Sequence, residues 1–400
     1  MSFHIRRKTC AGQSPEFRAM ENRLKRHHEK GTPMNTVKTP DYILNLKPYK
    51  PGKPIEELER EYGIRDSIKL ASNENPLGPP ASAVAAMEKA LKGCHRYPDG
   101  SGFHLTRKIA ELHGVKPGNV VLGNGSDDII GLLTRAYLAP GDEALMTRPS
   151  FLMYEIMVNS AGAVSVFVPL ADGSRNFAID LDAMVGKITE RTRMIFLTNP
   201  NNPTGAIIRK QEFERFLAKV PSNVIVVLDE AYIEFAIDPE CMNGRDYLDG
   251  KRPVVVLRTF SKAYGLAGMR VGYGLMSEDM AMALHKVRMP FNVNILGQTA
   301  ALAALSDEDY LAKSLDLIHK ELDYLYAELE KMGLTFYRTQ ANFFLIDVKR
   351  PADQVFESLL REGVIVRSMT SYGYPEFIRL SVGLPEENQR FIKALSKVMA

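Results

Sequence analysis

Residues 224–235 read VIVVLDEAYIEF, and this stretch decides the fold. Its first five residues, Val224 to Leu228, are apolar without interruption. A strand wet on one face would alternate, so this one is covered on both. The run stops on Asp229, and Tyr232 follows three residues on. Similar runs flank it: NVVLG (119–123), EALMT (143–147), AVSVFVPL (163–170), RMIFLT (193–198) and VVVLRTF (254–260). Helical patterns separate them, as from Asp127 to Leu138. Short buried strands spaced by helices predict a mostly parallel sheet inside a doubly wound α/β architecture.

After Asn292 the pattern changes. The spacing predicts one long helix from Ile295 to Glu330, whose charged stretch Asp307 to Lys331 reads as a solvated face with i,i+4 pairs. LTFYRTQANFFLIDV (334–348), a helix over 352–362, GVIVRSM (363–369), FIRLSVG (377–383) and a final helix from Glu386 complete the chain. These elements read as fewer and less buried, which predicts a smaller α+β domain. The expected division is a large domain over 72–292, with part of the 293–330 helix, and a small one from 35–71 and 331–400. Residues 1–34 read as a disordered tail or a non-native extension.

With 400 residues, 45% hydrophobic and 25% charged, the chain is neither disordered nor a disulfide-stapled miniprotein. Its formal charge of +3 is uneven: residues 1–34 hold eight Lys/Arg against three Glu, and the rest 43 Lys/Arg against 45 Asp/Glu. A mildly acidic body offers no broad basic footprint for nucleic acid. Cys10, Cys94 and Cys241 lie far apart, with no metal-ligand spacing, which fits a reducing compartment. No apolar run reaches the roughly 18 residues of a membrane span and no secretory h-region opens the chain, so a cytoplasmic protein without membrane association is expected.

Ligands in open α/β sheets bind outside the carboxyl ends of the strands. Asp229 stands there, and a buried carboxylate calls for a cationic partner; alone it would more often be a helix cap or a structural ion pair than a catalytic group. The next strand leads into SKAYGLAGMRVGYG (261–274), which puts Lys262 at the same edge and Arg270 eight residues on. A lysine that loses solvation has its pKa lowered, which frees the amine to attack a carbonyl. Alone it could be a surface lysine, but its grouping with Asp229 and Arg270 argues otherwise. NPNNPTG (199–205) is a third strand end, whose prolines and glycine suit a tight loop and whose Asn201 and Asn202 need hydrogen-bond partners. GNGSDD (123–128) sets glycines before a helix cap at Ser126, an anion site by its free N–H groups and dipole.

An amine, a carboxylate, an amide and a phosphate cradle with an added arginine are the parts that hold pyridoxal phosphate. The chain resembles the fold type I aminotransferases, whose signatures N-P-x-N-P-T-G, D-E-A-Y and S-K-x-x-G-x-x-G-x-R occur here in order. Within them it looks most like the histidinol-phosphate aminotransferases, over residues 40–400. ASNENPLGP (71–79), HRYPDG (95–100), GNGSDDII (123–130), RTFSKAYGLAGMRVGY (258–273), ANFFLIDV (341–348) and IRLSVG (378–383) carry the likeness. The resemblance implies a large domain with a mostly parallel seven-stranded sheet flanked by helices, plus a smaller α+β domain.

It also implies roles. Lys262 would bond the cofactor and later act as the base at the substrate's Cα. Asp229 would keep the pyridine nitrogen protonated, while Tyr232 and Asn202 would hydrogen-bond the phenolic oxygen. Ser126, Asp127, Ser261 and Arg270 would hold the phosphate, joined by Tyr97 from the neighbouring subunit of a homodimer. Phe151 falls where the family usually has a tyrosine stacked on the ring, so the stacking is kept and the hydroxyl's hydrogen bond is lost. Asn75 stands where some members have a substrate-contacting tyrosine. Arg379 would bind the substrate's carboxylate, with Asn202 beside it, and Arg367 the substrate's phosphate. The implied reaction interconverts histidinol phosphate plus 2-oxoglutarate with imidazole acetol phosphate plus glutamate, in histidine biosynthesis. An aromatic amino acid aminotransferase, a threonine-phosphate decarboxylase and an aminotransferase-like transcription regulator are the alternatives.

Overall fold

A computed structural model describes residues 38–49 and 53–400. Two units make up the chain, 1–45 and 46–400. The described part of the first holds a one-turn helix, Asp41–Leu44; the expected tail at 1–34, with Cys10, lies outside the described residues.

In the second unit a short strand, β1 (Ile68–Lys69), precedes the strands of the main sheet. These are β2 (Val120–Gly123), β3 (Glu143–Arg148), β4 (Val164–Pro169), β5 (Thr192–Thr198), β6 (Ile225–Asp229), β7 (Val254–Thr259) and β8 (Gly272–Leu275). Among the described residues they form one seven-stranded sheet in the order β2-β8-β7-β6-β5-β3-β4. Neighbours are parallel except at β8, which runs antiparallel to both β2 and β7. Every residue of β6 and β7 is buried, as their unbroken apolar runs require. The chain steps outward from β3 to β4 and then returns to β5 on the other side of β3, and such a reversal opens a crevice at the strands' carboxyl edge.

The predicted long helix is two. Ile295–Ala304 lies against Ala81–Ala90, and a second helix runs over Glu308–Lys331. Asp307 separates them: its carboxylate caps the second helix by accepting from the Tyr310 N–H (3.1 Å). The heptad-like spacing of apolar residues ran across this cap. Lys320 and Asp316 make the expected i,i+4 pair on the wet face, while Ile318, Leu322, Leu325 and Leu329 are buried on the other.

The C-terminal strands are β9 (Thr335–Tyr337), β10 (Phe343–Asp347), β11 (Val364–Ile365), β12 (Arg367–Ser368) and β13 (Phe377–Ser381). Four of them form an antiparallel sheet, β12-β13-β10-β9, and β11 pairs in parallel with β1. One apolar run, GVIVRSM, therefore feeds two sheets. Burial is uneven here: no residue of β9 or β12 is fully buried, whereas Phe343, Phe344, Leu345 and Ile346 of β10 are wholly inaccessible. Phe344 packs on Tyr326 of the helix above, and Phe343, on the opposite face, packs edge-on against Tyr232 (centroids 4.9 Å apart). The second sheet thus shares its core with the edge of the first.

Candidate active site

The register pairs Thr198 with Asp229 and Asp229 with Leu257, so β5, β6 and β7 end side by side. A cavity of about 200 Å³ opens at that edge. Its walls include nine of the residues read from the sequence: Ser126, Asp127, Phe151, Asn202, Asp229, Tyr232, Ser261, Lys262 and Arg270.

The Lys262 amine donates to the carbonyl oxygen of Ser72 (3.0 Å). Burial, with the positive charge of Arg379 nearby, pulls its pKa down from 10.5 to about 8. Among the described residues Asp229 has no cation paired with it, contrary to expectation. Its donors are neutral: the Tyr154 hydroxyl to Oδ2 (2.5 Å) and the Ala231 N–H to Oδ1 (3.2 Å). Burial pushes this carboxyl up to about 6. A ring N–H⁺ placed against it would supply the missing positive charge.

Tyr232 accepts at its hydroxyl oxygen from the side-chain amides of Asn73 (3.0 Å) and Asn202 (3.4 Å). Two donors aimed at that oxygen leave the phenol's own proton to be donated into the cavity. Asn202 is in turn oriented by Arg379, whose Nη1 donates to its Oδ1 (2.7 Å). Asn201 turns away and staples the loop instead, its amide donating to Thr204 Oγ1 (2.9 Å).

The helix Ser126–Tyr137 begins one residue earlier than read: Gly125 is its cap, at φ +85°, and Ser126 its first helical residue. A Cβ at Gly125 would lie 2.4 Å from Arg270 Nη2, and one at Gly272 would lie 2.4 Å from the Ser126 nitrogen. Only glycine lets the arginine and the helix N-terminus close to this distance. Arg270 itself is left-handed (φ +56°), uncommon for a side-chain-bearing residue, and Nη2 lies 3.6 Å from Asp127 Oδ2. Burial raises the Asp127 carboxyl while Arg270 and Lys262 lower it.

Phe151 lines the cavity and meets Tyr154 edge-on (5.6 Å). Asn75 does not line it: its amide donates to the Ala263 carbonyl (2.9 Å) and Ser314 Oγ (2.7 Å), joining the 72–79 loop to the helix Glu308–Lys331. Tyr97 is 81% exposed, stacked on Phe291, and does not line the cavity of its own chain. Arg367 and Arg379 sit beyond the cavity wall, directly opposite each other on β12 and β13. Arg379 donates to Asn202 and to the Ala71 carbonyl (2.9 Å), and its Nε is buried without a hydrogen-bond partner among the described residues. That is a donor set waiting for an acceptor.

Sequence reading missed Tyr154, Thr198, Asn73 and the Ser72 carbonyl. Tyr154 had a signal: it follows Phe151 by three residues at a helix start, so both share one face. Asn73 had none, because its role depends on a left-handed backbone (φ +54°).

These residues fit pyridoxal phosphate. A glycine-lined helix terminus with Arg270 suits the phosphate, Asp229 the ring N–H⁺, Tyr232 and Asn202 the phenolic oxygen, and the partly deprotonated Lys262 the aldehyde carbon.

Residues 65–395 match the family described as aminotransferase class I and II. A histidinol-phosphate aminotransferase of Moorella thermoacetica is 46% identical over 370 residues, covering 92% of this chain and 95% of its own. Histidinol-phosphate aminotransferase 2 of Pseudomonas aeruginosa is 49% identical over 360 residues, covering 90% and 96%. The crystal structure of histidinol-phosphate aminotransferase from Sinorhizobium meliloti in complex with pyridoxal-5'-phosphate has a TM-score of 0.83 at 28% identity, covering 93% of this chain and 99% of that one.

Proposed function

Since this chain belongs to the class I and II aminotransferases, and within them to the histidinol-phosphate aminotransferase family, we propose that it transfers an amino group between histidinol phosphate and 2-oxoglutarate, giving imidazole acetol phosphate and glutamate, as a step of histidine biosynthesis. The observation that carries the substrate choice is the opposed pair Arg367 and Arg379 next to a cavity fitted for pyridoxal phosphate. Two guanidinium groups on one face of a sheet suit substrates with a phosphate or a second carboxylate.

Bound pyridoxal phosphate supplies a carbonyl that receives the amino group and a cationic ring that withdraws electrons from the carbon beside it. Asp229 holds the positive ring nitrogen, and Tyr232 donates to the phenolic oxygen. Ser126, Asp127, Ser261 and Arg270 hold the phosphate. Lys262, whose buried amine is pulled down to about 8 and is therefore partly deprotonated there, takes the proton from the substrate's Cα. Phe151 supplies an apolar face for the ring and excludes water from it.

The chain works as a homodimer in which Tyr97 completes the phosphate site of the second copy; its 81% exposure leaves it available for that contact. The working division is a large cofactor domain over 72–292 and a small domain from 35–71 and 331–400. No helix among the described residues is long and apolar enough to cross a membrane, and we place the enzyme in the cytoplasm. Arg367→Ala tests the substrate assignment. It should lower kcat/KM for histidinol phosphate far more than for phenylalanine or tyrosine, and equal losses on both would overturn the choice.

A further inference from the structure

Helix Leu152–Ser160 brings a wholly buried hydroxyl to the floor of the site. Tyr154 donates to Asp229 Oδ2 at 2.5 Å and lies 3.0 Å from Thr198 Oγ1. An ionised carboxylate only accepts, so the single phenol proton goes to Asp229, and Thr198 must then be the donor to the Tyr154 oxygen. A relay results, Thr198 to Tyr154 to Asp229, with every proton pointing toward the carboxylate.

The tyrosine ring cannot swing away. It stacks on Phe196 of β5 (centroids 4.7 Å, planes 11° apart) and is met edge-on by Phe151. Tyr154 follows Phe151 by three residues at the helix start and delivers its hydroxyl to the Asp229 carboxylate.

We propose that Tyr154, oriented by Thr198, is a positioning residue for Asp229, fixing the carboxylate's orientation and holding it as an anion for the ring nitrogen; this rests on the cofactor reading given above. Other groups facing Asp229 push the opposite way. Asp127, on the helix Ser126–Tyr137, and Glu230, next in the chain, both oppose its ionisation, as burial does, whereas the Tyr154 hydroxyl and the Ala231 N–H favour it. Tyr232 adds a further neutral phenol. Without Tyr154 the carboxylate would keep, among the described residues, only the Ala231 N–H as donor.

The test is a pH titration of the bound cofactor's visible absorbance in the parent holoenzyme, Tyr154→Phe and Thr198→Val. A ring that keeps less positive charge leaves the lysine-borne nitrogen more basic. The midpoint should therefore rise by about one pH unit or more in Tyr154→Phe, and by less, in the same direction, in Thr198→Val. Pyridoxal phosphate should bind Tyr154→Phe about tenfold more weakly. Unchanged midpoints in cofactor-loaded variants would overturn the proposal. Should Tyr154→Phe not fold, Thr198→Val decides on the same criterion.

A parent chain that takes up no pyridoxal phosphate would instead sink the cofactor reading. The relay is then judged on the full chain alone, by urea unfolding against pH. Stability lost as Asp229 ionises should extend to higher pH in Tyr154→Phe than in the parent, and coincident profiles would refute the relay.

Discussion

Arg367 and Arg379 face each other directly across the β12–β13 ladder. Directly opposed side chains share a face, and like charges in that position repel. Burial and the neighbouring Arg367 both make the Arg379 cation harder to hold, against the favourable phenols of Tyr372 and Tyr232. Under the proposed function, an anionic substrate would be held by this pair of guanidinium groups.

Arg379→Lys keeps the charge and loses the planar fork. Two charge-assisted hydrogen bonds are at stake, so kcat/KM for glutamate should fall about 100-fold. The cofactor's absorbance should persist, since Lys262, Asp229 and Arg270 are untouched, although Asn202 loses the donor that orients it. Steady-state kinetics beside an absorbance spectrum checks both; a loss of absorbance would place Arg379 in cofactor binding instead.

Lys262 titrates at about 8 rather than 10.5, so its neutral amine is plentiful well below the usual lysine range. The rate at which the cofactor-free chain captures pyridoxal phosphate should rise with pH and level off just above 8. Stopped-flow absorbance measures it, and a rate still climbing at pH 10 would contradict the buried amine. Lys262→Ala should lose both capture and turnover while keeping the parent's circular dichroism.

Asp229 is held at about 6 against an ordinary 3.8. A raised carboxyl gives stability that is full below about pH 4 and lost as pH rises through 6, because the folded chain binds the proton more tightly. Asp229→Asn should therefore make the cofactor-free chain more stable than the parent above pH 6, by roughly 2–3 kcal/mol, with the gain vanishing below pH 4. Urea unfolding across that window shows it. The same variant should bind pyridoxal phosphate weakly, a cost of function set against stability.

Beneath the site, Arg258 pairs with Glu230 (2.7 Å) and Glu234 (3.2 Å), all three nearly inaccessible. Arg258→Leu leaves two buried carboxylates without their cation and should cost about 3–5 kcal/mol. Arg258→Lys keeps charge but cannot reach both acids and Asn243 Oδ1 as the fork does, so its loss should be intermediate. Denaturant midpoints rank the three proteins.

The main sheet was legible because both its faces are covered: unbroken apolar runs such as Val224 to Leu228 carry that fact in the sequence itself. The strand-end residues were legible through their position, since Asp229, Asn202 and Lys262 each follow such a run. Two kinds of feature were not. Asp307 interrupts a helix by a side-chain cap that the spacing of apolar residues does not register. Partners brought from far along the chain were also hidden: Ser72 to Lys262, Asn73 to Tyr232 and Arg379 to Asn202 span 190, 159 and 177 positions. Tyr154 lay closer to hand, but its donation to Asp229 appears only once helix and sheet are packed.

The substrate is decided by comparing acceptors with glutamate as the common amino donor. Imidazole acetol phosphate, phenylpyruvate and 4-hydroxyphenylpyruvate are each supplied to the cofactor-loaded enzyme and kcat/KM is determined. The opposed arginines predict that imidazole acetol phosphate leads by at least about tenfold, roughly what one charge-assisted contact supplies. Equal or faster turnover of the arylpyruvates would contradict the account.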